Sequence, residues 1–397
     1  MQPRFEVAGV IENFEKQFLE NHRLPSHHLR TLQAIKNCRT QAMGGHIDCC
    51  DSCGHLRISY NSCRNRHCPK CQGTQREKWI LDRQRDLLPV SYFHVVFTLP
   101  SLLNRLCMHH PKQMYNLLFT TAWQTLKAFS KDEKHLGAQT GMVSVLHTWG
   151  QNLSLHPHLH CIVPGGGLTS DSKWKQVRNN GKFLFPVKAM SRVFRAKYVA
   201  GMRKWAKKKN IVIEQVLFDQ LFEKEWVVYA KRPFCGPQQV IEYLGRYTHK
   251  IAISNHRLVR VNDKDVEFRY KDYRQNGKNK TIRLDGVEFL RRFCQHILPW
   301  GFMRIRHYGL LSSRNKTRML ATARTALGVA TVDTDQTTRT NQNPVRPLPL
   351  HEKCPVCKNG AMVTLMQFDR QRGPPDEKRL EKLVQYLMKQ KKILKAA

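Results

Sequence analysis

Residues 155–163 read Leu-His-Pro-His-Leu-His-Cys-Ile-Val, and this stretch decides how the chain folds. His156, His158 and His160 fall at alternate positions, the period-two pattern of a strand that shows one face to a core. Side chains two apart on a strand stand about 7 Å from each other and reach a shared ion, whereas His156 and His160, about 13 Å apart, do not. Pro157 disturbs the first pair, while Cys161, Ile162 and Val163 continue the strand behind the second. His158 and His160 are therefore the expected chelating pair, with Leu159 turned into the core. An isolated His-x-His is more often structural than functional, so its meaning depends on the neighbouring elements.

On the N-terminal side, residues 142–149 read as a second strand, and Asn152 and Ser154 are turn formers that fold it back as a hairpin. Gln151 then ends the neighbouring strand, and its carbonyl oxygen is the expected third ligand. Two imidazoles and an amide oxygen leave positions open for water and phosphate oxygens, as a catalytic Mg2+ or Mn2+ requires. Residues 91–100, SYFHVVFTLP, give a further short β-rich run stopped by Pro100. Farther along, Pro237 suits the first turn of a helix running to about residue 248. Tyr243 and Tyr247, four apart, project from one face of that helix, and Val240, Ile241 and Leu244 cover an adjacent face able to pack on the sheet. Arg246, His249 and Lys250 add positive charge. An aromatic pair at this spacing is ordinarily core; beside a paired-histidine strand in a basic chain it becomes a candidate pair of nucleophiles.

The remaining periodicities alternate between helix and strand. Residues 1–40 are expected to be helical, as are 75–88, 102–129, 191–207 and 286–297; residues 226–230 and a cluster within 251–283 read as short strands. Residues 331–349, rich in Thr, Asn, Gln and Pro, read as a linker before a basic tail whose Leu380, Leu383, Val384, Leu387 and Met388 form a helical stripe. The expected class is α+β, an antiparallel sheet with flanking helices, preceded by a helical and zinc-ribbon N-terminal domain. The expected divisions are residues 1–90, 91–328, a linker at 329–350, and a tail at 351–397.

Seven of the 13 cysteines lie between Cys38 and Cys71, an odd total and a clustering that point to metal rather than disulfides. Cys50-x2-Cys53, fourteen residues, and Cys68-x2-Cys71 predict one closed four-sulfur site for structural Zn2+. Cys49, Cys63, His46 and His67 are close enough in sequence to substitute, and are read as packing residues. Cys354 and Cys357 have only His351 nearby, so a metal there needs ligands from elsewhere in the fold. Arg57, Arg64, Arg66 and Lys70, on or between the knuckles, are expected to grip phosphate.

Across 397 residues, 67 Lys and Arg face 30 Asp and Glu, a net charge of +37. Self-repulsion of that size calls for a polyanionic partner, nucleic acid before an anionic membrane. The apolar runs fall short of the roughly 20 residues that span a bilayer, and the N-terminus lacks the layout of a signal peptide. The expectation is a soluble intracellular protein.

Taken together, CDSCG, NSCRNRHCPKCQ, VVFTLP, HPHLHCIVPGGG and YLGRYTHKIAISN, followed by YKDYR and RIRHYGLL, resemble the two-tyrosine HUH transposases of rolling-circle insertion sequences over about residues 5–325. That resemblance implies an HUH endonuclease-like antiparallel sheet with the histidine strand at its centre and VVFTLP beside it. It implies His158 and His160 as metal ligands, and Tyr243 and Tyr247 as nucleophiles that form 5′-phosphotyrosine links on single-stranded DNA. A plasmid relaxase or replication initiator would share this chemistry; a zinc-ribbon DNA-binding protein without cleavage activity is the alternative of another class.

Overall fold

A computed structural model describes residues 3–71, 80, 83–231, 239–240, 245, 250–329, 353–371, 373–376, 378–380, 382 and 385–386. The chain opens with helices α1 (Val7–Asn21) and α2 (Ser26–Asn37). Helix α1 buries Val7, Val10, Ile11, Phe14 and Phe18, the three-and-four spacing of a single apolar stripe. Strands β1 (Gly45–Cys50) and β2 (Leu56–Tyr60) follow as an antiparallel hairpin.

The middle of the chain runs β3 (Tyr92–Thr98), α3 (Pro111–Lys131), β4 (Gly141–Trp149), β5 (Leu155–Pro164), β6 (Gly166–Leu168), β7 (Trp174–Gln176), α4 (Val187–Lys209), α5 (Gln215–Glu223) and β8 (Val228–Lys231). The helix expected over 102–129 is broken at His110, because Pro111 takes the first position of α3, where its missing N–H costs nothing. After the segment that carries Tyr243 and Tyr247 come β9 (Leu258–Val261), β10 (Asp265–Asp272), β11 (Lys278–Asp285), α6 (Gly286–Cys294), β12 (Ile305–Gly309) and α7 (Lys316–Ala326). The expected helix at 75–88, the linker at 331–349 and most of the tail stripe fall largely or wholly outside the described residues. No helix among the described residues is long and apolar enough to cross a membrane.

The central sheet has five antiparallel strands in the order β12-β4-β5-β3-β8. The alternation read from residues 155–163 divides its two faces. On one, Phe93, Val95 and Phe97, Leu159, Cys161 and Val163, and Met142 and Leu146 pack against Leu118, Phe119, Phe194, Tyr198 and Met202 of α3 and α4 in the main core. The registered pairs Val96↔His160, His94↔Ile162 and Val143↔Ile162 place His94, His160 and Ile162 on the other face. A fold of this kind is α+β, as the alternating patterns require.

Strand β13 (Met362–Phe368) crosses the whole sequence to pair antiparallel with β1. Beside the central sheet lie two three-stranded sheets, β11-β10-β9 and β13-β1-β2, and the two-stranded β6-β7. Helix α1 lies on α6, and Val7, Ile11, Phe14, Phe18 and Ile35 share one apolar cluster with Phe268, Phe289 and Phe293. Close approach of these helices depends on Gly286, where an added Cβ would overlap the Phe14 ring. Gly286→Ala is expected to cost about 1–3 kcal/mol through overpacking. The denaturant midpoint should fall with an unchanged slope; a variant as stable as the parent would mean that α1 does not seat on α6.

Candidate functional site

His158 and His160 leave β5 on the same face, and their Nε2 atoms are 3.1 Å apart. The third imidazole comes from His147 on β4, which pairs directly with His158. Ligand nitrogens of His147, His158 and His160 all lie within 4.8 Å of one another. Two nitrogens bound at about 2.1 Å and at right angles to one ion stand about 3.0 Å apart, so the His158–His160 spacing fits a shared cation.

His147 reaches this face through a register slip. Trp149 pairs with Leu155, and a uniform antiparallel register from there would set His147 opposite Pro157, on the side of the main core. The β-bulge between His147 and Trp149 shifts the pairing by one residue, so that His147 faces His158 instead. Pro157 is accommodated in the same irregular stretch, where a missing ladder donor is tolerated. The turn beyond is held at three successive carbonyls. Arg257 donates to Gln151 O, Arg292 to Asn152 O at 3.2 Å, and His296 Nε2 to Leu153 O at 3.1 Å. Asn152 Oδ1 accepts from the Ser154 N–H at 3.2 Å, the turn chemistry expected of these residues.

Gln151 sits in the turn, its backbone carbonyl accepting from Arg257, and a third imidazole beside the pair comes from His147. The sequence held a signal for this: His147 lies in the predicted partner strand, but a uniform register counted back from the turn pairs it with Pro157, and the bulge pairs it with His158 instead. His94 was also not anticipated. Its Nε2 is 2.9 Å from His160 Nδ1, and the two rings stack with centroids 5.1 Å apart. His158 Nδ1 is 2.6 Å from His156 O and donates to it, leaving a lone pair on Nε2. Such partners behind the ligands fix the tautomer and aim the ring.

Burial lowers the His158 pKa to about 4 and that of His94 to about 4, and pushes His160 well below its usual value. The charge of Lys250 adds to the effect on both His158 and His160. His158 and His160 are thus neutral at neutral pH, the form that binds a metal, and so is His94 behind them. The set contains no carboxylate, so the charge of a bound ion stays available to an anionic ligand. Three imidazoles suit Mn2+ or a later transition ion better than Mg2+, which prefers oxygen.

The cysteines are distributed differently from the expected single site. Cys50, Cys53, Cys68 and Cys71 do not converge on one ion. Cys68 and Cys71 group with Cys38 and Cys63, whereas Cys50 and Cys53 group with Cys354 and Cys357. The single-ion expectation follows sequence order, but the chain pairs its knuckles by strand topology. In the first group Cys63 Sγ and Cys71 Sγ are 3.7 Å apart, close to the edge of about 3.8 Å in a tetrahedral Zn2+ site with bonds of about 2.3 Å. Backbone N–H groups of Cys63, Asn65 and Lys70 each point at a sulfur from 3.4 Å, the pattern that stabilises thiolates.

Several of the basic residues expected at phosphate make contacts within the protein. Arg66 donates to Phe302 O and, at 3.1 Å, to Pro299 O, tying the first cysteine group to the loop before β12. Lys70 pairs with Glu6 at 2.6 Å, and Arg57 with Asp48 at 2.9 Å. Arg64, by contrast, is exposed. Tyr243, Tyr247 and Arg246 lie outside the described residues, whereas Val240 is buried against Tyr92 and Ile162.

Comparison with known proteins adds family relationships. A profile described as "Transposase zinc-binding domain", of IS91 type, matches residues 10–99, and one described as "Putative transposase" matches residues 141–318. The chain is 42% identical over 388 residues to "Putative transposase y4qJ" of Sinorhizobium fredii, covering 93% of this chain and 97% of that protein. It is 28% identical over 327 residues to "Transposase for insertion sequence element IS801" of Pseudomonas savastanoi pv. phaseolicola, covering 79% and 77%. No solved structure matches the chain. The zinc-binding profile and the cysteine groups agree on structural Zn2+.

His296, which anchors the turn, is buried, accepts from Thr148 Oγ1 at Nδ1 over 3.2 Å, and has a pKa lowered to about 4. The unfolded chain therefore binds more protons than the folded one between pH 6.5 and 4, so this share of stability is complete above pH 6.5 and is lost as pH falls toward 4. Glu288, held down to about 2 chiefly by its hydrogen bond from Arg291, loses its share at lower pH. His296→Gln should flatten the fall in thermal midpoint between pH 6.5 and 4; an unchanged pH profile would show that the His296 ring is not held neutral by burial.

Proposed function

This chain belongs to the family of IS91-type transposases, and we propose that it cuts and rejoins single-stranded DNA through 5′-phosphotyrosine links formed by Tyr243 and Tyr247. The observation that carries this proposal is the convergence of His147, His158 and His160 on the face of the central sheet opposite the main core. Supporting it, Val240 packs against Ile162, the next residue after His160 on that face, and Lys250 lies close enough for its charge to act on both His158 and His160. The two tyrosines fall between Val240 and Lys250 in sequence.

A Mn2+ or Mg2+ ion held by His147, His158 and His160 would polarise the scissile phosphate and neutralise charge in the transition state. A tyrosine Oη attacks phosphorus in line, the bond from phosphorus to the 3′ oxygen breaks, and a proton passes to the departing 3′ hydroxyl. The phosphotyrosine ester conserves the energy of the broken bond, so rejoining to another 3′ hydroxyl needs no nucleotide cofactor. Two tyrosines allow two cleavages in succession, as moving one strand from donor to target requires. Residues 91–328 would carry this chemistry, while residues 1–90, stiffened by Zn2+, would grip DNA through groups such as Arg64.

Of the aromatic residues suited to base stacking, Trp300 is 80% and Tyr273 71% exposed, whereas Tyr308 is already stacked on Trp123 at 5.5 Å. Trp300 lies beneath the Arg30 guanidinium, 5.3 Å from its ring centroid, and so presents aromatic surface beside charge.

Incubation with single-stranded DNA bearing the element ends and Mn2+ should yield a covalent protein–DNA band on a denaturing gel. The double variant Tyr243→Phe, Tyr247→Phe should abolish it; persistence of the band would overturn the nucleophile assignment. His147→Ala and His158→Ala should each slow cleavage about 10²–10³-fold while leaving much of the DNA affinity intact. Trp300→Ala should weaken single-strand binding by about 1–3 kcal/mol, measured by fluorescence anisotropy at fixed salt. Equal affinity in that variant would remove Trp300 from the DNA path.

A further inference from the structure

We propose that Cys50, Cys53, Cys354 and Cys357 bind a second structural Zn2+, which staples the C-terminal segment to the N-terminal sheet. No part of this site depends on the strand-transfer chemistry. Two of its four ligands lie outside the matched zinc-binding stretch, residues 10–99. Cys50 Sγ is 3.6 Å from Cys357 Sγ, and Cys53 Sγ is 3.7 Å from Cys354 Sγ. All four sulfurs lie within 4.8 Å of one another. A tetrahedron of sulfurs around Zn2+ has edges of about 3.8 Å, so the unbonded spacing fits a metal and is too long for a disulfide.

The two halves are built alike. Each is a Cys-x2-Cys turn followed by a residue with left-handed backbone, Gly54 at φ 74° after Cys53 and Lys358 at φ 59° after Cys357. In each, the N–H of that residue bonds to the carbonyl of the first cysteine, Gly54 to Cys50 O at 3.1 Å and Lys358 to Cys354 O at 3.0 Å. In each, backbone N–H groups point at sulfur: Ser52 and Cys53 at Cys50 Sγ, and Gly360 at Cys357 Sγ, all at 3.4 Å. The turns are further joined by Asp51, whose N–H donates to Ala361 O at 3.0 Å and whose Oδ1 accepts from the Ala361 N–H at 2.9 Å. Gly360 leaves room for Cys50 Sγ, which an added Cβ would strike.

Among the described residues, the sheet these turns close has a small apolar core: Ile47, Phe368 and Leu380 are buried, with Leu56, Tyr60 and Met366 partly covered. A core this small does not secure an independent three-stranded sheet, and natural modules of that size add a metal or cross-links. A Zn2+ between residues 50–53 and 354–357 closes a loop of some three hundred residues, and so holds β13 against β1 where burial alone is too weak.

The experiment uses the unmodified full-length chain. Cys53 is exposed and Cys357 partly so, hence both should react readily with N-ethylmaleimide unless a metal holds them. Zinc analysis should give two ions per chain. Alkylation followed by peptide mass spectrometry should find Cys50, Cys53, Cys354 and Cys357 protected together, and exposed together on titration with a chelator. Cys354→Ser with Cys357→Ser should lower the content to one zinc and unmask Cys50 and Cys53, while Cys38, Cys63, Cys68 and Cys71 stay protected. One zinc in the unmodified chain, or alkylation of Cys354 and Cys357 at a rate indifferent to chelator, would overturn the proposal even if the double variant fails to fold.

Discussion

The register slip between His147 and Trp149 is the constraint on which the rest of the active face depends. Side chains of a strand alternate, so a shift of one residue exchanges the faces. Without the bulge, His147 would enter the apolar core and His158 would face an aliphatic neighbour. With it, three imidazoles meet on the side of the sheet that α3 and α4 leave uncovered. The slip is stabilised at the hairpin turn, whose three successive carbonyls are gripped by Arg257, Arg292 and His296. Arg257 just before β9, Arg292 on α6 and His296 just after it thus reach back to set the position of a ligand on β4.

The electrostatics of the face follow from where these rings sit. Loss of hydration on burial lowers the pKa of these imidazoles, and nearby histidines and Lys250 act in the same direction on His158 and His160. The histidines are held neutral and ready for a cation, with their second nitrogens committed to His94 and the His156 carbonyl. No carboxylate in the set offsets the ion, so phosphate becomes the natural counter-charge. The same arginines and lysines that build this potential also do internal work: Arg66 and Lys70, which look like phosphate contacts in sequence, brace the first cysteine group against its surroundings.

The cysteine groups show how topology redistributes ligands that look paired in sequence. Two Cys-x2-Cys turns separated by fourteen residues suggest one site, yet β1 and β2 carry the first turn away from the second. Each turn then finds partners from elsewhere: Cys38 at the end of α2 and Cys63 for one, and the distant Cys354 and Cys357 for the other. The orphan pair in the tail, short of ligands in its own neighbourhood, and the overlooked Cys63 are two sides of this exchange.

Local patterns determined much of this protein. The alternation through residues 155–163, the apolar stripes of α1 and α2 and the turn at Asn152 and Ser154 fix elements because each is a property of a few adjacent residues. They also make His158 and His160 a pair, since the two share a strand face whatever else the chain does. Tertiary structure alone decided which groups join them. The identity of the third imidazole depends on a one-residue bulge, the sorting of eight cysteines into two groups depends on which strands pair, and the duties of Arg66 and Lys70 depend on what lies opposite. All three are contacts between segments far apart in sequence, and the free energy that selects them is set by packing across the fold, which no window of neighbouring residues contains.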